Sequence, residues 1–203
     1  MLQKYAKNKG INLNQNGRIL WFIGPPGTGK TTFAEIFAEA MGRKLFRINA
    51  GGENDANLII GGKTEHVGAK VGQIINAIRE TDSRNPVILI DEIDKAGEKI
   101  GESELKNSLL HVLDPKQNKN FTDNYIDVAV DISEITFILT ANDERKIPEP
   151  LKNRLEIIRL EGYNEIQKFS IGKKIIDETF KKNYGNANRE LFEIKEEALK
   201  KLI

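Results

Sequence analysis

The 203-residue chain contains no cysteine, so no disulfide framework and no thiolate metal site can form. Histidine is nearly as scarce, with His66 and His111 alone, and any metal is expected to be held by oxygen ligands. Charge of one sign is missing too. With 31 basic against 30 acidic residues, no global field draws the protein to nucleic acid or to a membrane surface. No apolar run approaches the roughly 18 residues of a membrane span. The opening MLQKYAKNKG lacks the apolar core of a signal peptide, and a cytoplasmic protein is expected. The start has no helix cap, as in a piece of a longer protein, and Lys4, Lys7 and Lys9 read as a solvated face.

What is present is a 39% hydrophobic share, enough for a sizeable core, arranged in a repeating pattern. Residues 1–17 read as the tail of a helix ending near Gly10, followed by a polar loop. RILWFIG is a short apolar run ending in glycine, and KTTFAEIFAEAMG follows with Phe33, Ile36, Phe37, Ala40 and Met41 at helical spacing. The alternation continues through KLFRIN, GQIINAIRETD, PVILIDEID, ITFILTAN and RLEIIRLEG, giving about five buried strands interleaved with helices. That pattern predicts an α/β fold with a parallel five-stranded sheet between helices, over residues 18–162. From residue 163 the pattern turns helical: a capped helix runs to Gly185, and IKEEALKKLI starts another.

GPPGTGKT, from Gly24 to Thr31, matches the phosphate-loop spacing in the context that spacing requires, between a buried strand and a helix. Glycines at 27 and 29 let backbone amides turn toward phosphate oxygens, and the helix start adds its positive end. The expected binding set is Pro26, Gly27, Thr28, Gly29, Lys30, Thr31 and Thr32, with Lys30 on the β- and γ-phosphates and the Thr31 hydroxyl on Mg²⁺. VILIDEID places Asp91 and Glu92 at the C-terminal end of a strand, where ligands of open sheets sit. Asp91 would hold Mg²⁺ through water, and Glu92 would accept a proton from an attacking water. Asn142 ends ITFILTAN, where it can orient that water or cap the next helix. Arg154 in PEPLKNR has two readings, a surface ion pair or an arginine that reaches a neighbouring subunit's phosphate. Trp21 is expected in the core, and His111 is expected to be packed or to face another subunit.

Taken in order, GPPGTGKT, LIDEID, TAN and PEPLKNR resemble an AAA+ ATPase, and LLHVLDPKQNKNFTDNYIDVAVDIS is similar to a segment of the Lon proteases. The resemblance runs from about residue 18 onward. It implies a P-loop module that binds ATP and Mg²⁺, with Asp91 and Glu92 as the Walker B pair, Asn142 as sensor 1 and Arg154 as an arginine finger acting in trans. It also implies a homohexameric ring that threads unfolded polypeptide. Residues 163–203 then read as the incomplete beginning of the helical lid, without the arginine used as sensor 2, and the 203 residues are expected to include no serine and lysine peptidase domain. The chain by itself is therefore expected to be an ATPase and no protease. Two rivals stay open: an AAA+ chaperone or regulatory ATPase with no peptidase, and a nucleotide-dependent DNA-binding switch. The second has little behind it, because no basic stripe interleaved with aromatics appears.

The stretch GGKTEHVGAK falls where the family places its axial pore loop, an aromatic followed by an aliphatic residue and glycine. Here His66, Val67 and Gly68 hold those places. Histidine keeps a ring but offers less apolar area and can be charged, so the grip on substrate is expected to differ. The rival reading is an idle solvent-exposed loop.

Overall fold

The computed structural model describes residues 17–97 and 104–184; the expected helices before Gly10 and after Gly185 fall outside them. The chain divides into two compact units, Met1–Leu160 and Glu161–Ile203. The first contains a five-stranded parallel sheet built from β1 (Ile19–Ile23), β2 (Leu45–Asn49), β3 (Val87–Asp91), β6 (Thr136–Ala141) and β7 (Glu156–Arg159), in the spatial order β2-β3-β6-β1-β7. Between β3 and β6 lie two short antiparallel strands, β4 (Phe121–Thr122) and β5 (Ala129–Val130). The helices are α1 (Lys30–Ala40), α2 (Asn57–Ile60), α3 (Gln73–Thr81), α4 (Glu104–Val112), α5 (Glu149–Lys152) and, in the second unit, α6 (Glu165–Tyr184).

The continuous apolar runs of the sequence become the middle of the sheet. Every residue of β3 and β6 is buried, and so are Leu20 to Ile23 of β1. Alternate side chains feed two cores. Trp21, Ile88, Ile90, Phe137 and Leu139 face one way, onto Ile74 and Ala77 of α3 and Leu105 and Leu109 of α4. Leu20, Phe22, Val87, Leu89 and Ile138 face the other way, onto Ala34 and Ala38 of α1. The strand period of two thus serves both layers at once.

Three expectations are corrected here. The outer strands β2 and β7 are not buried on both faces, and each carries charge, Arg47 on β2 and Glu156 and Arg159 on β7. Charge on an edge strand keeps it from pairing with another chain. The α1 stripe is also different: Phe33 and Ile36 are exposed, and the small residues Ala34 and Ala38 bring the helix close to the sheet. Phe33 still meets Phe22 edge-on, with ring centroids 5.2 Å apart. Finally, His111 is exposed on α4, which removes the packed reading and leaves the subunit-facing one. Trp21 lies in the core as expected, with no exposure.

In the second unit, α6 begins with a reciprocal cap. The Gln167 amide donates to Asn164 Oδ1 at 2.8 Å, and the Asn164 amide donates to Gln167 Oε1 at 3.0 Å. Among the described residues no helix is long and apolar enough to cross a membrane.

Phe137 sits with no exposure at the centre of the sheet, so Phe137→Ala leaves a cavity that the surrounding strands cannot close. The expected cost is about 3–5 kcal/mol, read from urea unfolding followed by emission of Trp21, the sole tryptophan. A loss under about 1 kcal/mol would show that this part of the core is loosely packed.

Candidate nucleotide site

Parallel pairing lines up the C-terminal ends of β1, β3 and β6. Ile23 pairs with Ala141 and Ile90 with Leu139, so Gly24, Asp91 with Glu92, and Asn142 leave the sheet in one row. This row adjoins β1, whose chain leaves for the far edge strand β2 while β7 lies on its other side; such a reversal opens a crevice in α/β sheets. The loop after β1 turns through Gly27 (φ 78°) and Gly29 (φ 79°), left-handed conformations that side chains resist. Gly29 caps α1, and the first helical bond runs from the Phe33 amide to the Gly29 carbonyl at 2.8 Å. The amides of residues 30–32 therefore precede the helical ladder at the positive end of the helix.

Lys30 is buried, and its ammonium donates to the Gly24 carbonyl (2.8 Å), the Pro25 carbonyl (2.9 Å) and Asn142 Oδ1 (2.7 Å). Burial pushes its pKa below the ordinary lysine value, while Asp94, Asp91 and Glu92 oppose that shift. The lysine is thus a charge held by weak, neutral acceptors and surrounded by carboxylates. Thr28 is also buried and donates to the Pro25 carbonyl at 3.0 Å, closing the loop on itself, while Pro26 and Thr32 are exposed at its surface.

Asp91 is buried and heavily solicited. Its Oδ2 accepts from Thr31 Oγ1 at 3.2 Å and from Arg47 Nη2 at 2.5 Å, and its Oδ1 accepts from Thr140 Oγ1 in a short bond. The Thr140 oxygen in turn accepts the Glu92 amide at 3.0 Å. Glu92 itself is in the left-handed region (φ 59°), a conformation costing on the order of 1–3 kcal/mol for a side-chain-bearing residue. Its carboxylate pairs with Lys95 at 2.5 Å. Asp94 is buried as well: Oδ2 accepts the Asp143 amide at 3.3 Å, and Oδ1 has no partner. The turn after Asn142 is fixed by Arg145, whose side chain and backbone amide both bond Asp143 and hold its carboxyl down to about 2.

The structure thus brings Lys30, Thr31, Asp91, Glu92 and Asn142 to one rim. Arg154 is elsewhere: its Nη2 reaches Asp114 Oδ2 at 3.4 Å, and Nη1 is buried without a partner. His66 and Val67 stand exposed at the tip of the loop 61–72, which is closed by the Gly62 amide on the Lys70 carbonyl at 3.0 Å and turned at Gly68. Arg47, Thr140 and Lys95 were not anticipated. The arginine inside LFRIN was a signal, since a charge within an apolar strand needs a partner; Thr140 and Lys95 gave none.

The donor set fits a magnesium nucleotide. Thr31 and Asp91 put two oxygens 3.2 Å apart beside a buried ammonium, and among the described residues no cluster of three metal-ligating side chains offers a protein-only cage. Magnesium commonly completes its shell with water and phosphate in such a place.

Sheet order, phosphate loop and paired acids define an α/β P-loop nucleoside triphosphatase. The family model for the ATPase family associated with various cellular activities (AAA) matches residues 20–163, and the chain belongs to that family. It is similar to the Lon protease of Fusobacterium nucleatum, 41% identical over 199 residues, which is 98% of this chain and 26% of that protein. Similarity extends to the mitochondrial Lon protease homolog of Saccharomyces cerevisiae, 41% identical over 85% of this chain and 15% of that protein. A mitochondrial Lon protease homolog of Dictyostelium discoideum is 48% identical over 81% of this chain and 17% of its own length. The chain spans about a quarter of these relatives or less.

Thr140→Val removes the hydroxyl that joins Asp91 to the Glu92 amide and leaves both without that partner in a buried place. We expect a loss of about 1–3 kcal/mol in chemical denaturation. An unchanged midpoint would show that water replaces the hydroxyl.

Proposed function

We propose that this chain is the ATP-binding and ATP-hydrolysing module of a Lon-like machine that unfolds polypeptide and draws it through a homohexameric ring. Residues 18–162 are read as the nucleotide-binding domain and 163–203 as the beginning of the helical lid. The observation that carries the reading is the row Lys30, Thr31, Asp91, Glu92 and Asn142 at the strand ends, with Lys30 bound to Asn142 and Thr31 to Asp91.

When bound, magnesium ATP supplies a γ-phosphoryl group open to attack by water. Pro26 to Thr32 would wrap the phosphates, the backbone amides after Pro26 and the start of α1 supplying the donors. Lys30 exchanges its carbonyl acceptors for phosphate oxygens, a stronger, charge-assisted contact in a partly dry site. Thr31 and Asp91 hold the metal side. Glu92, whose Oε1 is paired with Lys95, takes the proton from water, and Asn142 orients that water. Arg154 is the finger that would act on a neighbouring subunit's nucleotide, offsetting the charge that develops there. In that role it exchanges Asp114 for phosphate.

Lys30→Ala is expected to abolish nucleotide affinity measurable by calorimetry. Glu92→Gln keeps the shape and loses the base, so it should retain affinity while turnover falls about 10²–10⁴-fold. Hydrolysis at the normal rate by Glu92→Gln would remove that residue from its role, and unchanged affinity in Lys30→Ala would remove the site.

His66 and Val67 are proposed to meet the polypeptide. Val67 is fully exposed, and a groove of about 400 Å³ beside it is lined by Glu53, Asp55, Leu58 and Lys70 among others. In the ring-forming protein, His66→Ala should hydrolyse ATP yet stall on folded substrates, and His66→Tyr should pull at least as well as the natural residue, since a larger ring buries more apolar area. Normal unfolding by the alanine variant would make the loop idle.

A further inference from the structure

The two ends of the loop 61–72 meet at one buried carboxylate that belongs to a different element. Asp123, between β4 and the turn to β5, has no exposure at all. Its Oδ2 accepts the Gly72 amide at 2.8 Å, and its Oδ1 accepts the amides of Tyr125 (2.8 Å) and Ile126 (3.3 Å). A buried charge is costly unless solvated by fixed donors, and here backbone amides do that work. The neighbouring residue adds two ties: the Asn124 amide donates to the Ile60 carbonyl at 2.8 Å, and Asn124 Nδ2 donates to the Gly61 carbonyl at 3.0 Å.

Neither end of the loop has room for a side chain: Gly61 has φ 77° and lies against the carboxylate, and a Cβ on Gly72 would come within 2.3 Å of the Ile59 carbonyl and 2.6 Å of the Gly61 amide nitrogen, with the carboxylate next. A Cβ on Gly61 would lie 2.5 Å from Asp123 Oδ1, and one on Gly72 would lie 2.7 Å from Asp123 Oδ2. Glycine at the two ends would otherwise form a hinge, free to let the tip swing. The Asp123 and Asn124 bonds remove that freedom, holding residues 60, 61 and 72 to the hairpin. From the hairpin the chain runs through buried Ile132 and Ile135 directly into β6, whose end carries Asn142.

We propose that Asp123, seconded by Asn124, is a positioning residue for polypeptide pulling. It fastens the stem of the loop 61–72 to the hairpin, so that a load on His66 and Val67 is carried into β6 and the sheet and is not lost in swinging at Gly61 and Gly72. This rests on the reading that His66 and Val67 grip polypeptide.

The test has two parts. In this chain, amide hydrogen exchange is followed in Asp123→Asn, whose amide turns one acceptor into a donor facing backbone N–H groups, and in Asn124→Ala. We expect exchange at Gly72, Tyr125 and Ile126 to quicken at least tenfold in Asp123→Asn, with β3 and β6 unchanged and nucleotide affinity within twofold of the natural chain. In the ring-forming protein, ATP consumed per substrate molecule unfolded should rise several-fold in both variants. Leu20→Val, a core change in the opposite layer that lowers thermal stability, should leave that ratio alone. Should Asp123→Asn not fold, Asn124→Ala, which loses one hydrogen bond, carries the same expectation for the ratio.

An unchanged ratio in a folded Asp123 or Asn124 variant, or a change no larger than that of Leu20→Val, overturns the inference. If His66→Ala with Val67→Ala also unfolds substrate normally, the reading beneath it fails as well. A defective loop variant beside a normal Asp123→Asn sinks this inference alone.

Discussion

The candidate site depends on keeping one carboxylate, Asp91, charged inside the sheet. Moving a lone carboxylate out of water costs several kcal/mol even after the protein relaxes, so a chain that buries one must supply donors from fixed places. Those donors come from three different elements: Thr31 on α1, Arg47 on β2 and Thr140 on β6. Satisfying Asp91 thus fixes the register of the phosphate helix against the middle of the sheet. It fixes Glu92 as well, because the hydroxyl that serves Asp91 also takes the Glu92 amide and supports the left-handed backbone there. The strain at Glu92 is local, and the network around its neighbour holds it.

The balance of charge around that carboxylate also makes Lys30 available. Three acids surround the ammonium, yet the bonds it makes run to two carbonyls and an amide oxygen, and burial has already weakened its hold on its proton. Had Lys30 paired with Asp91 directly, phosphate would have to break a buried ion pair before binding. Here Arg47 is the cation paired with that carboxylate. The arginine is half-exposed, so its loss from Asp91 to water is far cheaper than a lysine's loss from a buried pair.

How much of this was legible in the sequence follows from the kind of signal each feature leaves. The middle strands, the loop and the two acids were readable because burial on both faces requires unbroken apolar runs and phosphate binding requires glycine at fixed spacing. LFRIN and LEIIR differ from the inner strands by Arg47, Glu156 and Arg159, but their apolar residues read as buried strands because no single segment records which strand lies at the edge of the sheet. Phe33 and Ile36 misled in another way: their helical spacing is real, but the close approach of α1 is made by Ala34 and Ala38. The reach of Arg154 to Asp114, forty residues away, could not be read at all, since no local pattern records a pairing across the fold.

Asp123 marks the limit of such reading. Within NFTDNY it looks like a turn residue, and two of its bonds, to Tyr125 and Ile126, are the local ones a turn aspartate makes. Its third bond reaches Gly72, fifty-one positions back, and that bond gives the glycines of GGKTEHVGAKVG a meaning different from freedom. A glycine chosen for flexibility leaves space around its Cα, as at Gly68, where an added Cβ would touch nothing within 4 Å. Gly61 and Gly72 have no such space. The same residue type therefore does opposite things within one loop: at the tip it allows a turn, and at the stem it admits neighbouring backbone and a carboxylate at distances that leave no freedom. Sequence shows only that glycine is there, and the contact distance decides which case applies.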